Sequence, residues 1–290
     1  MVATGYPHEF EYGKGEQPTE IIGRKNCKIE PFPMFGLEGA NGGLYRGRVP
    51  FVCGGYFDVP PTWEQRGYRQ VTGECHYLNQ NGSWVKEERY EDFESAMGYG
   101  RFDSMFPRCM LSWNSTSISY LTMDWPRTWI YNVDLTTNQR VRVEGPYSLV
   151  ERTKHSCQEM EIDGKPYIIV AGGHNENGFV RSTEILDLND FEKGWQPAGD
   201  LPLHGLEGHQ MVASKDKKSV FAIGGQQVYQ LGTNSFTWSN DPREIYKFTC
   251  TGELSTCQWS KLDYELMWRN GRSNFVAIPI PDDLADKLCQ

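Results

Sequence analysis

The stretch YIIVAGGHNENGFVRSTEILDL, residues 167–188, holds two strand-like runs separated by a polar loop. The first run is apolar and β-branched and halts at Gly172-Gly173, whereas STEILDL alternates polar and apolar side chains. One copy of such a pattern would be an ordinary hairpin. It recurs, however, as VPFVCGG (49–55) and SVFAIGG (219–225). The spacing from Gly172 to Gly224 is 224 − 172 = 52 residues, and from Gly54 to Gly172 it is 172 − 54 = 118. The second interval has room for two units, and SISYLTMD (117–124) supplies the missing strand without its glycines.

A second marker keeps the same time. Trp84, Trp195 and Trp259 each follow a Gly-Gly, after the strands ECHYL, STEILDL and REIYKF. The degenerate unit carries RVRVEG (140–145) where the others carry a tryptophan strand. Each unit therefore reads strand a, strand b with Gly-Gly, strand c, then strand d with an aromatic.

This order resembles the kelch-repeat β-propeller, whose blades carry a Gly-Gly and a later tryptophan, and the likeness spans essentially the whole chain. The degenerate unit and the last one lack part of the pattern. The resemblance implies an all-β kelch-type propeller in a single domain, 1–290. Glycine suits the end of strand b because it lets another backbone approach closely in conformations closed to other residues. The termini set the blade number. MVATGYPHEFEYGKGEQPTEIIG reads like IIVAGGHNENGFVRSTEILDL, so residues 1–33 should supply strands b to d of a closing blade, with d near CKIEPFP. Strand a of that blade should come from 272–280, within RSNFVAIPI. The expectation is five four-stranded blades. Six is the alternative, but a sixth would have to fit in 94–107, which is too short.

Composition agrees with many short strands: aromatics make up 13% of 290 residues, with 30 glycines and 16 prolines. No apolar run is long enough to span a membrane as a helix. The net charge, 29 − 38 = −9, argues against nucleic acid and anionic membrane surfaces, leaving a protein or a glycan as the expected partner. No cofactor is expected. Eight cysteines, none in a C-x-x-C pair, occur with sequons at Asn81 and Asn114. Together they favour a secreted, oxidising setting over a cytosolic protein with buried thiols. MVATGYPHEF has no apolar core of the kind a secretory leader carries, so a secreted form of this sequence would be a mature one, whose native start need not be Met1.

The blade frame also suggests cysteine partners among the 105 connectivities that eight cysteines allow. Cys53 and Cys75 fall in one blade, and Cys250 and Cys257 bracket the turn CTGELSTC. Cys109 and Cys157 fall on strand a of neighbouring blades. Cys27 and Cys289 remain, one from each end, where a bond would lock the shared blade. Loop-closure entropy assigns that bond ~4–5 kcal/mol.

In a four-stranded meander the b–c and d–a connections leave one face and the a–b and c–d connections leave the other. Both sequons fall on the second face. The b–c connections carry aromatic and Arg side chains, the residue types that dominate binding hot spots. Trp63, Arg66, Trp125, Arg127, Arg181 and Trp238 are the candidates there. Glu38 and Glu207, from the repeated Leu-Glu-Gly of the d–a connections, add charge near the axis. Two functions from different classes follow. One is a non-catalytic extracellular scaffold that holds its partner on this face. The other is a kelch-type enzyme, a metal-dependent oxidase or a glycoside-acting protein, working in an axial pocket. His155, His174 and His209 could approach that pocket, but no ligand spacing links them. A plain packing role for these loops would leave both functions without support.

Overall fold

The computed structural model describes residues 2–6, 19–33, 40–45, 48–59, 68–71, 74–87, 108–113, 117–134, 136–137, 139–202, 206–225, 227–230, 236–239, 243–266 and 273–289. The fold is all-β and propeller-like. Four antiparallel sheets each carry four strands in sequence order. The first blade is Asn41–Tyr45, Val49–Cys53, Cys75–Leu78 and Trp84–Glu87. The second is Arg108–Trp113, Ser117–Asp124, Arg127–Asp134 and Arg140–Gly145. The third is Ser156–Ile162, Lys165–Ala171, Thr183–Asp187 and Gln196–Ala198. The fourth is Gln210–Ala213, Ser219–Ile223, Glu244–Thr249 and Gln258–Glu265.

The ends of the chain build a smaller closing sheet, in which Val2–Tyr6 pairs with both Glu20–Ile21 and Ser273–Ile278. Ser273–Ile278 lies against the innermost strands of the first and fourth blades, so the shared unit sits where the repeat pattern places it. The expectation of five four-stranded blades is corrected: four are complete, and the closing sheet has three strands among the described residues. The reason lies in the chain near CKIEPFP, expected as strand d. It turns toward the other terminus instead, with Lys28 N–H donating to the Leu288 carbonyl and Cys27 bridging Cys289. A short helix, Asp282–Leu288, which the sequence pattern did not reveal, ends on those partners, with Cys289 as its C-cap. Two aspartates in its first turn and Lys287 in its last complement the helix dipole.

The core lies between blades. In Lys165–Ala171, Ile168 and Val170 pack with Leu121, Met123 and Ile130 of the second blade. Ile169 and Ala171 pack with Met211, Val220 and Phe248 of the fourth. Successive side chains on a strand point to opposite faces, and both faces of this sheet are covered. That is why YIIVA is apolar without alternation. Fully burying each of the two isoleucines contributes roughly 1.5–3 kcal/mol.

The tryptophans join the blades. Trp259 Nε1 donates to Thr183 Oγ1 of the third blade at 2.9 Å, and Trp195 to Thr128 of the second at 3.0 Å. Trp84 donates to Thr19, beside the closing sheet, at 3.3 Å. In each case a strand-d tryptophan reaches a threonine at the start of strand c in the preceding unit.

Disulfides join Cys27 to Cys289, Cys53 to Cys75 and Cys250 to Cys257, as the blade frame suggested. Cys157 is also disulfide-bonded. The side chain of Cys109, its expected partner, is outside the described residues. Among the described residues no helix is long and apolar enough to cross a membrane.

Candidate functional site

The glycine pairs meet the d–a connections. Gly172 and Gly173 have φ of 69° and 88°, in the left-handed region that favours glycine. A Cβ on Gly172 would lie 2.4 Å from the Leu206 carbonyl oxygen and 2.7 Å from His209 Cε1. One on Gly173 would lie 2.4 Å from the Thr153 carbonyl oxygen and 3.1 Å from His155 Cβ. The missing side chains thus make room for the loops 149–155 and 206–209, which enter strand a of the third and fourth blades.

Those loops carry a buried polar cluster. Arg152 and Glu184 form an ion pair at 2.5 Å, with side chains 0% and 1% exposed. The Arg152 guanidinium also donates to the carbonyls of Gly172 and Ser182 and to Ser182 Oγ. Glu184 accepts the backbone N–H groups of Leu149 and Val150. Nearly every charge-assisted contact here ties loop 149–155 to the ends of strands b and c. Burial pulls the Arg152 guanidinium below its ordinary pKa, and Glu184 opposes that pull.

His155 and His209 are fully buried beside Arg152. Burial first, and then the Arg152 charge, lowers each imidazole to about 3, so both are neutral across the physiological range. The Arg152 carbonyl opposes part of the effect on His155. Even so, no ring nitrogen of either histidine meets hydrogen-bond geometry with the described residues.

Next to this buried layer lies an accessible one. The carboxylate of Glu207, itself buried, is 2.5 Å from His174 Nδ1 and 3.2 Å from Lys154 Nζ. His174 and Lys154 are partly exposed, and Thr153 Oγ1 lies 3.2 Å from His174 Nε2. A carboxylate holding an imidazole by one nitrogen fixes the ring's orientation. The layer can present a polar, hydrogen-bonding surface to a ligand. Among the described residues no group of three His, Cys, Asp or Glu side chains is arranged to hold a metal ion.

The b–c connections are more structured than the loops expected of them. Those of the first, third and fourth blades fold into hairpins of their own: Tyr56–Val59 with Tyr68–Val71, His174–Asn175 with Gly178–Phe179, and Gln227–Gln230 with Phe236–Ser239. In the second blade, strands b and c run on to a two-residue turn at Trp125-Pro126. Arg127, expected in a loop, is therefore the first residue of strand c, where its Nε lies 3.8 Å from Glu144. Trp125 is exposed at that turn. Arg181 is exposed beside the third-blade hairpin, and its Nε donates to the Leu201 carbonyl.

Of the other candidates, Trp63, Arg66, Glu38 and Asn114 lie outside the described residues, as does the Trp238 side chain. Asn81 is exposed in the c–d turn of the first blade, where its N–H donates to Asn79 Oδ1. The structure brings His174 and Glu207 together, and it brings His155 and His209 together. The paired glycines were the available signal, since each marks a strand end against which a d–a loop must pack. Arg152 and Glu184 were not singled out in the sequence, because a buried ion pair leaves no periodic trace.

No protein-family model matches the chain, and no curated protein sequence matches it. A solved structure described as "Structure of YjhT" is similar over 94% of this chain and 80% of that one, with 14% sequence identity and a TM-score of 0.46.

Proposed function

We propose that this protein is a secreted kelch-type propeller that serves as a non-catalytic scaffold, holding a protein or glycan partner on the face that bears its b–c connections. The observation that carries this reading is the set of three b–c hairpins, which give the connections of the first, third and fourth blades ordered strands of their own. Ligand-binding side chains are commonly presented on such connections over a rigid frame. The disulfides fit an oxidising compartment. In this reading Trp63, Trp125 and Trp238 are anchors, with Arg66, Arg127, Arg181, Glu38 and Glu207 around them.

The test is capture of partners from extracellular fluid and from a glycan array by the immobilised protein. Trp63→Ala, Trp125→Ala and Trp238→Ala should weaken capture, by roughly 2 kcal/mol or more at a true anchor. Asn81→Gln and Asn114→Gln should leave it intact, since both sequons are expected on the other face. The reverse pattern would place the working face on the wrong side.

One observation favours the enzymatic alternative: an accessible imidazole held by a buried carboxylate, His174 on Glu207. Stoichiometric copper or iron in the purified protein, or hydrolysis of a glycoside that His174→Ala abolishes, would replace the scaffold reading.

A further inference from the structure

The loops 149–155 and 206–209 are built alike and are tied to each other. Each ends on a residue of left-handed backbone followed by a histidine: Lys154 (φ 49°) before His155, and Gly208 (φ 63°) before His209. Glycine takes that conformation freely, whereas a lysine held in it is strained. The Gly208 N–H donates to the Lys154 carbonyl at 3.0 Å, and Lys154 Nζ lies 3.2 Å from Glu207. Loop 206–209 also accepts the Gly173 N–H at the Leu206 carbonyl and holds His174 through Glu207.

The two histidines return nothing to this closure. All four of their ring nitrogens are buried without a hydrogen-bond partner among the described residues, so each ring has given up water and gained no replacement. The rings press on backbone instead. A Cβ on Gly172 would meet His209 Cε1, and one on Gly225 would meet His209 Cβ, each at 2.7 Å. The charge nearest the rings has the wrong sign for a proton. Arg152 acts on both, and His209 adds to its effect on His155. The carboxylates packed here are engaged elsewhere: Glu184 with Arg152, on which Asp200 also acts, and Glu207 with Lys154 and His174. Glu151 is exposed. The Arg152 carbonyl alone among these groups favours a charged His155.

We propose that loops 149–155 and 206–209 form a latch that mild acid opens: charging His155 and His209 releases both loops and draws Glu207 away from His174, while the strands of the third and fourth blades stay folded. Closure is strained at Lys154 and costs the rings their hydrogen bonds. Opening returns both rings to water. The open form takes up a proton at each ring between the closed value of about 3 and the ordinary 6.5. Within that interval each unit of falling pH favours opening about tenfold per ring, and about a hundredfold for the two together. At neutral pH neither ring gains a proton, and the Arg152–Glu184 pair and the Glu207 contacts hold the latch shut. The accessible layer of His174, Lys154 and Glu207 therefore exists at neutral pH and comes apart in acid. The inference rests on these loops alone and stands whether or not the b–c face takes a partner.

The test follows amide exchange of the whole protein by mass spectrometry at pH 7 and pH 5, with rates corrected for the intrinsic effect of pH. Protection in 149–155 and 206–210 should fall tenfold or more at pH 5, while 165–171 and 219–223 keep theirs. H155Q/H209Q should hold the protection of the loops constant between the two pH values. Ring nitrogen-15 shifts of the unaltered protein give a second readout that needs no substitution: His155 and His209 should be neutral at pH 7 and charged at pH 5 in a chain that is still folded. Loss of protection in the strands together with the loops would make the event global unfolding and overturn the latch. Loops equally protected at both pH values would also overturn it, as would a response that survives H155Q/H209Q, or rings that are neutral at pH 5.

Discussion

The second and third blades share a four-stranded meander and differ in what holds each to its surroundings. The third has Gly172-Gly173 at the end of strand b, a threonine opening strand c, and a tryptophan donating to the second blade. The second has Asp124 and a two-residue turn in place of the glycines, and no tryptophan on strand d. By register, the position of Thr183 in the third blade is Cys75 in the first and Ile245 in the fourth, each opposite the residue before a Gly-Gly. Neither offers a hydroxyl. The unit following the first blade lacks the donor tryptophan, and the closing sheet, which follows the fourth, lacks a strand d among the described residues. Donor and acceptor are therefore present together or missing together. The repeat motif belongs to the junction between blades more than to any blade. Where the junction loses it, the outer strand Arg140–Gly145 pairs with Arg127–Asp134 alone among the described strands.

Acid should separate the two regions most. His155 and His209 have folded pKa values near 3 against an ordinary 6.5. The unfolded chain therefore binds more protons at each site as pH falls. The stability these rings hold as neutral groups is fully present above pH 6.5 and is lost as pH drops toward 3, on the order of 4 kcal/mol for each ring. Urea midpoints measured from pH 7 to pH 4 should fall steeply in the parent protein, and less in a H155Q/H209Q double variant. Exchange protection should fail in the third and fourth blades before the second. Equal failure in the second blade would erase the distinction.

Glu184→Ala tests the same layer at neutral pH. It leaves the Arg152 guanidinium buried without its carboxylate, which should cost about 3–5 kcal/mol by chemical denaturation. The double change R152M/E184L should cost less than Glu184→Ala alone, because no unpaired charge remains. An additive cycle would show that the pair is not coupled.

At the outer strand of the second blade the opposite holds. Val143→Thr, on a side chain 43% exposed, should move stability by no more than about 0.5 kcal/mol. A loss several times larger would mean that this strand is packed as firmly as its counterparts.

The blade pattern was legible because it repeats. Three glycine pairs in step with three tryptophans located the strands, and two of the pairs near the loops 149–155 and 206–209 now have a steric cause in the loop atoms they admit. The cysteine pairs followed from strand order, since Cys53 and Cys75 face each other across two neighbouring strands. The missing strand d was hidden because its replacement is a contact between residues 28 and 288, and nothing local announces a partner so distant. The candidate site was read only in part. Glu207 was found through a repeated Leu-Glu-Gly, whereas its union with His174 depends on two loops from different blades meeting. The hairpins inside the b–c connections escaped notice because their strands are short, only two residues each in His174–Asn175 and Gly178–Phe179.

The pairing of Val2–Tyr6 with Ser273–Ile278 also sets an order in time. Ala3 lies opposite Ala277, so the earlier strand leaves the ribosome long before the partner it pairs with. At about 5–20 residues per second, that wait is roughly 14–55 s. Through it the nascent ring stays open, and the Cys27 thiol has no Cys289 to meet. Whatever shields that early strand during the wait therefore acts on an unclosed ring.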